Sequence, residues 1–309
     1  MRRVLFFVLL NCAFVMEGLS QRDTTTRFTS ISPSATALIR LKANTTIPFA
    51  KETAALLDES ENGAQQKVDF RKLIHFENRY WSINEMLHKY PSDNILEFSS
   101  GYSFRGLDLC VDQNVHVIDT DLPDVINLKK KLQDSLIRKD HLILKGDIKT
   151  MPLNVFDLEA FRNIVKLFPQ GPVTIVNEGL LPYFNREEKA KLCRIIHQIL
   201  QERGGYWVTA DVYVKDSVKH KDESAQASNF RKEHKLDENR FESYEDAEAF
   251  FKSCGLEVVH KESWAFGKLS SLETLSEGRR AAVIHKLQNE KPIRQTWCLQ
   301  RIATPKIRN

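Results

Sequence analysis

Residues 95–106, ILEFSSGYSFRG, have the pattern of a strand, a turn of small residues and the start of a helix. The first residues form an apolar run of strand length that contains the acid Glu97, and small residues up to Gly101 then lead into a helix. A turn of small residues lets a ligand approach the backbone closely, and the N–H groups at the start of the following helix are donors for that ligand. Because many strand-to-helix turns contain Gly and Ser, the stretch alone is a weak indication of a nucleotide-binding loop.

Apolar segments of strand length recur on both sides of this loop and alternate with helical segments. The predicted strands are residues 94–98, 115–118, 141–145, 173–177, 206–214, 256–260 and 294–302. Helical periodicity also covers residues 34–90, ahead of the first strand. This alternation predicts an α/β fold in which helices cover both faces of a doubly wound, mostly parallel seven-stranded sheet. Ligands of such sheets bind at the carboxyl ends of the strands.

Asp121 is placed to bind the ribose of a nucleoside. Asp121 follows Gly101 by 20 residues and comes just after the second predicted strand, where a carboxylate accepts both ribose hydroxyl protons of a bound nucleoside. The loop lacks the full G-x-G-x-x-G pattern that a pyrophosphate requires, so the pattern favours S-adenosylmethionine over a nicotinamide dinucleotide. Two alternatives stay open: an NAD(P)-dependent oxidoreductase on the same fold, and Asp121 as the N-cap of a helix that begins at Pro123.

Four strings in order, ILEFSSGYSFRG, VIDTDLPDVINLKKKL, LKGDI and VNEGLLPYF, make the chain resemble a known family. It resembles the leucine carboxyl methyltransferases, in particular their polyketide O-methyltransferase-like branch, over residues 34–302. The resemblance implies a Rossmann-like class I methyltransferase fold with added N-terminal helices, and S-adenosyl-L-methionine as the cofactor. The sequence departs from the family at Ser99, which replaces the usual first glycine of the loop.

The resemblance also implies a set of cofactor-binding residues. These are Arg79, Glu97, Gly101, Asp119, Asp121, Asp147, Ile148 and Glu178. Arg79 would pair with the methionine carboxylate, Asp147 with Ile148 would bind the adenine, and Glu178 would line the pocket near the sulfonium.

Two basic positions leave alternatives. Arg79 is also compatible with a salt bridge on a helix surface. The family carries a further basic residue in the first helix, which corresponds here to Arg40 or Lys42, and the pattern does not choose between them.

Methyl transfer requires few catalytic groups from the protein. Methyl transfer from a sulfonium is an in-line displacement that needs alignment and no covalent nucleophile. A carboxylate acceptor is already ionised, whereas a hydroxyl requires a base. No catalytic residue is assigned, and the candidates Tyr183, Asp211 and Tyr213 follow the fourth strand or lie on the fifth. The predicted activity is O-methylation of a small-molecule hydroxyl or carboxyl group or of a carboxyl terminus, with a non-catalytic relative of the fold as a further alternative.

Composition and charge argue against a nucleic-acid partner and a metal site. The chain has 309 residues and a net charge of +4, and its Lys and Arg residues are spread along the chain rather than gathered in a stripe. A dedicated nucleic-acid surface is therefore not expected. The five cysteines include no C-x-x-C pair, so neither a zinc site nor a disulfide framework is indicated, and no metal is predicted.

The N-terminus differs from the rest. Arg2 and Arg3 precede an apolar run, residues 4–16, that resembles a signal peptide and is short for a bilayer span. Residues 1–31 are predicted to be an extension: a signal, an anchor, or a segment upstream of a true start at Met16. Residues 32–309 are predicted to form the methyltransferase domain, with a charged insertion or lid at residues 215–240. A cytosolic cosubstrate predicts a cytoplasmic protein, with export or tethering through residues 1–20 as the alternative.

Overall fold

Two central strands form where the sequence pattern predicted them. β1 (Asn94–Phe98) and β4 (Val173–Asn177) pair in parallel, and every residue in both is buried. Strands covered on both faces carry continuous apolar runs, which explains why the pattern located them. They lie at the centre of the sheet in the computed structural model, which describes residues 32–58, 68–215 and 225–303.

The sheet has seven strands in the order β3-β2-β1-β4-β5-β7-β6. The other five strands are β2 (His116–Asp121), β3 (Asp147–Pro152), β5 (Gly205–Tyr213), β6 (Leu256–Glu262) and β7 (Arg294–Arg301). The pairs among β1 to β5 are parallel, whereas β7 is antiparallel to both of its neighbours. This architecture confirms the prediction of a doubly wound, mostly parallel seven-stranded sheet. The strand order reverses between β1 and β4, and an open α/β sheet offers a crevice for ligands at such a point.

The helices surround this sheet. They are α1 (Ser32–Lys42), α2 (Ala50–Asp58), α3 (Phe70–Lys89), α4 (Arg105–Asp112), α5 (Pro123–Lys139), α6 (Leu158–Val165), α7 (Arg186–Arg203), α8 (Ala225–Glu233), α9 (Tyr244–Ser253), α10 (Ser270–Glu273) and α11 (Glu277–Asn289). The first three precede β1, as predicted. Helix α3 begins after Asp69, whose carboxylate accepts the N–H groups of Arg71 and Lys72, which is the usual way of satisfying free donors at a helix start.

The third strand differs from the prediction. It was expected at residues 141–145, but it begins at Asp147, and the side chain of Ile143 is 86% exposed. β3 is an edge strand whose residues are mostly exposed or half-buried, so it lacks the apolar alternation that a half-buried strand shows. Gly146 passes so close to β2 that a Cβ atom there would lie 2.2 Å from the carbonyl oxygen of Val115. The strand therefore starts just after a residue that must be glycine.

Some predicted features fall outside the described residues. These are the signal-like extension, residues 1–31, and residues 216–224 of the charged stretch. The described remainder of that stretch includes α8. Within the described ranges, no helix combines the length and apolar character that crossing a bilayer requires.

Candidate active site

A buried carboxylate with three cations lies at the carboxyl end of β4. Glu178 Oε1 is 2.5 Å from Lys42 Nζ and 3.0 Å from Arg79 Nε, and its Oε2 is 2.6 Å from Arg105 Nη2. The cations come from α1, α3 and α4, and all four side chains are buried. Three separate helices thus converge on the residue that follows β4.

This cluster contains more positive than negative charge. Among the described residues, the carboxylate besides Glu178 that contacts these cations is Glu97, whose Oε1 lies 3.4 Å from Arg105 Nε. Burial alone would raise the pKa of Glu178, but Lys42, Arg79 and Arg105 hold it far below its usual value. Burial lowers the pKa of Lys42 to about 8, although Glu178 opposes the shift. Three cations share two carboxylates, and burying an unmatched charge is costly, so the cluster is suited to binding an anion.

The structure distinguishes the two basic residues of α1. Arg40 Nε lies 2.9 Å from Asp58 Oδ1 in an exposed pair, whereas Lys42 is 3% exposed and reaches Glu178. Lys42 is therefore the basic residue that α1 contributes to the site.

Asp121 fastens the loop between β1 and α4. Its Oδ2 accepts the N–H of Gly101 at 2.8 Å and its Oδ1 accepts the N–H of Leu122 at 2.7 Å. Gly101 has a φ of 50° and Ser99 has a φ of 52°, a conformation that costs a non-glycine residue roughly 1–2 kcal/mol. A carboxylate has about four acceptor positions, so Asp121 keeps capacity for hydroxyl donors of a ligand.

Helix α1 lies over this loop. A Cβ atom at Gly101 would be 3.5 Å from Ala35 Cβ, which is van der Waals contact. Together with the Lys42–Glu178 pair, this contact places α1 across the carboxyl ends of β1 and β4. A ligand that touches the backbone at Gly101 must therefore displace α1 or lie beneath it.

Asp119 and Glu97 are fully buried on neighbouring strands. They are opposite each other in the β1–β2 pairing, and each is at most 1% exposed. Asp119 Oδ2 is 2.7 Å from Lys129 Nζ. A Cβ atom at Gly106 would come within 2.9 Å of Asp119 Oδ1, so this carboxylate lies under α4. The structure brings Glu97 to the cation cluster through Arg105 and leaves Asp119 beneath it.

Asp147 and Ile148 lie at the amino ends of the strands, away from the cation cluster. Asp147 is the first residue of β3 and pairs in register with His116, the first residue of β2. Its carboxylate contacts the His116 imidazole and is about half exposed. The structure therefore does not bring these two residues to the carboxyl ends of the strands, because the true strand starts where the predicted one had already ended.

Asp211 on β5 organises the segment after β4. Its carboxylate accepts N–H groups from Asn177, Gly179, Leu180 and Leu181 at 2.7 to 3.2 Å. These four bonds use the acceptor capacity of the carboxylate. Asp211 is therefore suited to holding Glu178 in place and not to removing a proton.

Tyr183 belongs to a single 3-10 turn after β4 and faces α8. Its ring centroid is 6.4 Å from that of Phe230 and 5.8 Å from that of His234, both with edge-on geometry. The described part of the charged stretch thus packs against the segment after β4 through aromatic rings.

Tyr213, the last residue of β5, contacts a residue that the sequence analysis did not single out. Its Oη lies 2.8 Å from His75 Nε2. His75 and Arg79 are four residues apart on α3, a spacing that puts two side chains on one helix face. That spacing was a usable signal. Arg105 was also missed, and only the contacts to Glu97 and Glu178 reveal it.

Comparison with known proteins gives structural likeness only. No protein-family model and no curated protein sequence matches this chain. A DUF574 family protein from Streptomyces avermitilis is similar with a TM-score of 0.51 and 13% identity, over 87% of this chain and 97% of that one. The shared fold is a Rossmann-like, doubly wound α/β fold with a mostly parallel seven-stranded sheet. At such identity the likeness concerns the fold alone.

Two further solved structures are more distant. The plantazolicin methyltransferase BamL, solved with SAH, has a TM-score of 0.46 and 14% identity over 89% of this chain and 100% of that one. LepI, solved with SAH and a substrate analogue, has a TM-score of 0.43 and 12% identity over 82% of this chain. The chain spans about half the length of LepI, 53%.

Proposed function

We propose that this chain is an S-adenosyl-L-methionine-dependent methyltransferase that methylates an oxygen atom of a small molecule or a carboxyl terminus. One observation carries the proposal: Lys42, Arg79 and Arg105 are buried with two carboxylates at the carboxyl ends of β1 and β4. The carboxylate of the cofactor's methionine part would pair with this excess positive charge, with the ammonium group of the same part directed away from it. A charge-assisted pair of this kind is among the stronger polar contacts in proteins.

The residues at the strand ends fit such a ligand. Arg79 and Lys42 would bind the methionine carboxylate, Asp121 would accept the ribose hydroxyls through its remaining lone pairs, and the backbone at Gly101 would approach the nucleoside. Glu178 would hold the cations in position instead of contacting the sulfonium. When bound, S-adenosyl-L-methionine supplies a methyl group on a positively charged sulfur. The chain itself orients the partners and excludes water.

We do not include Asp147 and Ile148 among the proposed cofactor-binding residues. They lie at the amino ends of the strands, and ligands of parallel sheets bind at the carboxyl ends. The adenine would instead lie near the carboxyl end of β3, where Met151 and Pro152 stand.

Isothermal titration calorimetry with S-adenosyl-L-methionine tests the proposal. We expect Arg79→Gln to weaken binding at least tenfold, since one charge-assisted hydrogen bond is worth about 1.5–3 kcal/mol. Arg40→Gln, at a half-buried position on α1 that pairs with Asp58 and not with Glu178, is the matched control and should bind as the unaltered chain does. A chain that unfolds cooperatively but shows no binding at millimolar ligand would overturn the proposal.

A non-catalytic relative of the fold is the second candidate. The contact between α1 and the loop at Gly101, together with the ion pairs of Glu178, closes the crevice. The same titration separates the candidates, because the non-catalytic protein would give no heat with S-adenosyl-L-methionine.

A further inference from the structure

A histidine on α3 and the tyrosine that ends β5 are hydrogen-bonded to each other. His75 Nε2 is 2.8 Å from Tyr213 Oη, and the two ring centroids are 5.7 Å apart. Tyr213 is the last residue of β5. A phenolic oxygen can donate one hydrogen bond and accept others. Tyr213 can therefore donate its proton to His75 and accept a hydrogen bond from another donor.

His75 is arranged to stay neutral. Its pKa is held well below the usual value, first by burial and then by the charges of Arg294 on β7, Arg79 on α3 and Arg240 before α9, while Glu178 opposes them. A neutral imidazole offers a lone pair on one nitrogen. His75 is partly buried, and the proposed role requires that a proton it receives passes on to solvent.

A further cation lies beside Tyr213. Arg294 is paired in register with Tyr213 across β5 and β7, and it is 4% exposed. Its Nη1 bonds Thr296 Oγ1 at 2.7 Å, but its Nη2 is buried without a hydrogen-bond partner among the described residues. The guanidinium of Arg240 also lies 5.7 Å from the Tyr213 ring centre. Positive charge that is already in position lowers the free energy of an oxyanion that forms nearby.

We propose that Tyr213 and His75 remove the proton from a hydroxyl group, so that the methyl acceptor of this chain is a hydroxyl compound and not a carboxylate. This inference rests on the proposed methyltransferase function. An ionised carboxylate has no proton to lose, and a proton-accepting pair at the end of β5 would then have no task. Tyr213 contacts the acceptor, and His75 acts through it as a positioning residue.

The proton and electron balance is simple. The acceptor oxygen forms a bond to the methyl carbon as the carbon–sulfur bond breaks, and the electron pair of that bond stays on sulfur, which becomes an uncharged thioether. The hydroxyl proton passes to Tyr213 Oη while the Tyr213 proton passes to His75 Nε2. His75 then releases that proton to solvent.

Three probe acceptors test the proposal with radiolabelled S-adenosyl-L-methionine at pH 8: a nitrophenol that is ionised, 4-methylphenol that is not, and 4-methylbenzoate. We expect Tyr213→Phe and His75→Gln to lower kcat for 4-methylphenol by about 10²-fold or more, the size of a general-base effect. Transfer to the ionised nitrophenol should be retained. His88→Gln, an exposed histidine on the same helix, is the control and should leave both rates unchanged.

The outcomes separate the two proposals. Equal losses with both phenols, transfer to the benzoate alone, or transfer to none of the probes by a chain that binds S-adenosyl-L-methionine would overturn this inference. A chain that does not bind S-adenosyl-L-methionine in calorimetry would instead overturn the proposed function.

Histidine NMR without cofactor or acceptor gives a second readout. We expect the His75 signals to titrate well below pH 6.5 and to shift in Tyr213→Phe, because the hydrogen bond is lost. Titration of His75 near 6.5, with no response to Tyr213→Phe, would contradict the pairing.

Discussion

Glu178 shows how much one side chain can organise. It is a single buried carboxylate that contacts residues 136, 99 and 73 positions away in the sequence. Each of those cations would be costly to bury without it. The residue that the family resemblance placed near the sulfonium is, in this molecule, the counterion that allows three helices to pack against β4.

Glu178→Gln should therefore destabilise the fold strongly. Removing one partner of a buried pair leaves uncompensated charge and costs about 3–5 kcal/mol. Urea unfolding measures the free energy difference. Asp58→Asn, which breaks the exposed pair with Arg40, is the control and should cost less than about 1 kcal/mol. Similar losses in the two variants would show that the cluster contributes little.

His75 makes a prediction about pH. Because burial and nearby arginines lower its folded-state pKa, the unfolded chain binds more protons at a pH below about 6.5. The stability contributed by neutral His75 is therefore complete above that pH and is lost as the pH falls, by at most about 1.4 kcal/mol per pH unit. We expect His75→Gln to lose less stability than the unaltered chain between pH 7.5 and 5.5. Parallel curves would show that His75 titrates normally.

At the scale of elements, a glycine decides where β3 starts. Gly146 lies against the backbone of β2, with Val115 as its neighbour. The apolar residues before it made residues 141–145 resemble a strand, yet these residues lack a partner in the sheet ladder. Pairing with β2, and not the local pattern, selects the strand.

Gly146→Ala should destabilise the chain by about 1–3 kcal/mol, since an added Cβ atom would overlap the Val115 carbonyl oxygen at 2.2 Å. Gly278→Ala on α11 is the control, because nothing lies within 4 Å of its Cβ position. Alanine is a better helix former than glycine, so this variant should be unchanged or slightly stabilised. Thermal or urea unfolding compares the two, and a neutral Gly146→Ala would refute the close approach.

At the scale of the whole molecule, the topology assembles the site. The carboxyl ends of β1, β2 and β4 lie on the same side of the sheet, so Gly101, Asp121 and Glu178 are close together although they belong to separate strands and loops. Helices α1 and α3, which come before the sheet in the chain, add Lys42 and Arg79. A ligand that binds there would connect elements from both halves of the fold.

Such a ligand should stabilise the molecule as a unit. At a concentration of 100 times its Kd, a ligand that binds only the folded state adds about 2.7 kcal/mol. We expect S-adenosyl-L-methionine to raise the unfolding temperature and NADH at equal concentration to leave it unchanged. Stabilisation by NADH alone would instead favour the oxidoreductase alternative.

Buried strands could be located from the sequence, and the exposed edge strand could not. β1 and β4 were located because both of their faces are covered, and Asp121 was found because the spacing between a loop and the next strand end is set by one crossover helix. β3 was misplaced because its exposed edge carries no such pattern, and for the same reason Asp147 lies at the amino end of β3 rather than at the carboxyl ends of the strands.

Local periodicity and short-range spacing predict the class of fold, the turn of small residues after β1 and the order of the acids at the strand ends. The packing of distant segments decides between Arg40 and Lys42, makes Asp211 an anchor, and joins His75 to Tyr213 across 138 positions. Contacts between distant segments depend on how helices pack over a sheet. Local periodicity does not record that packing.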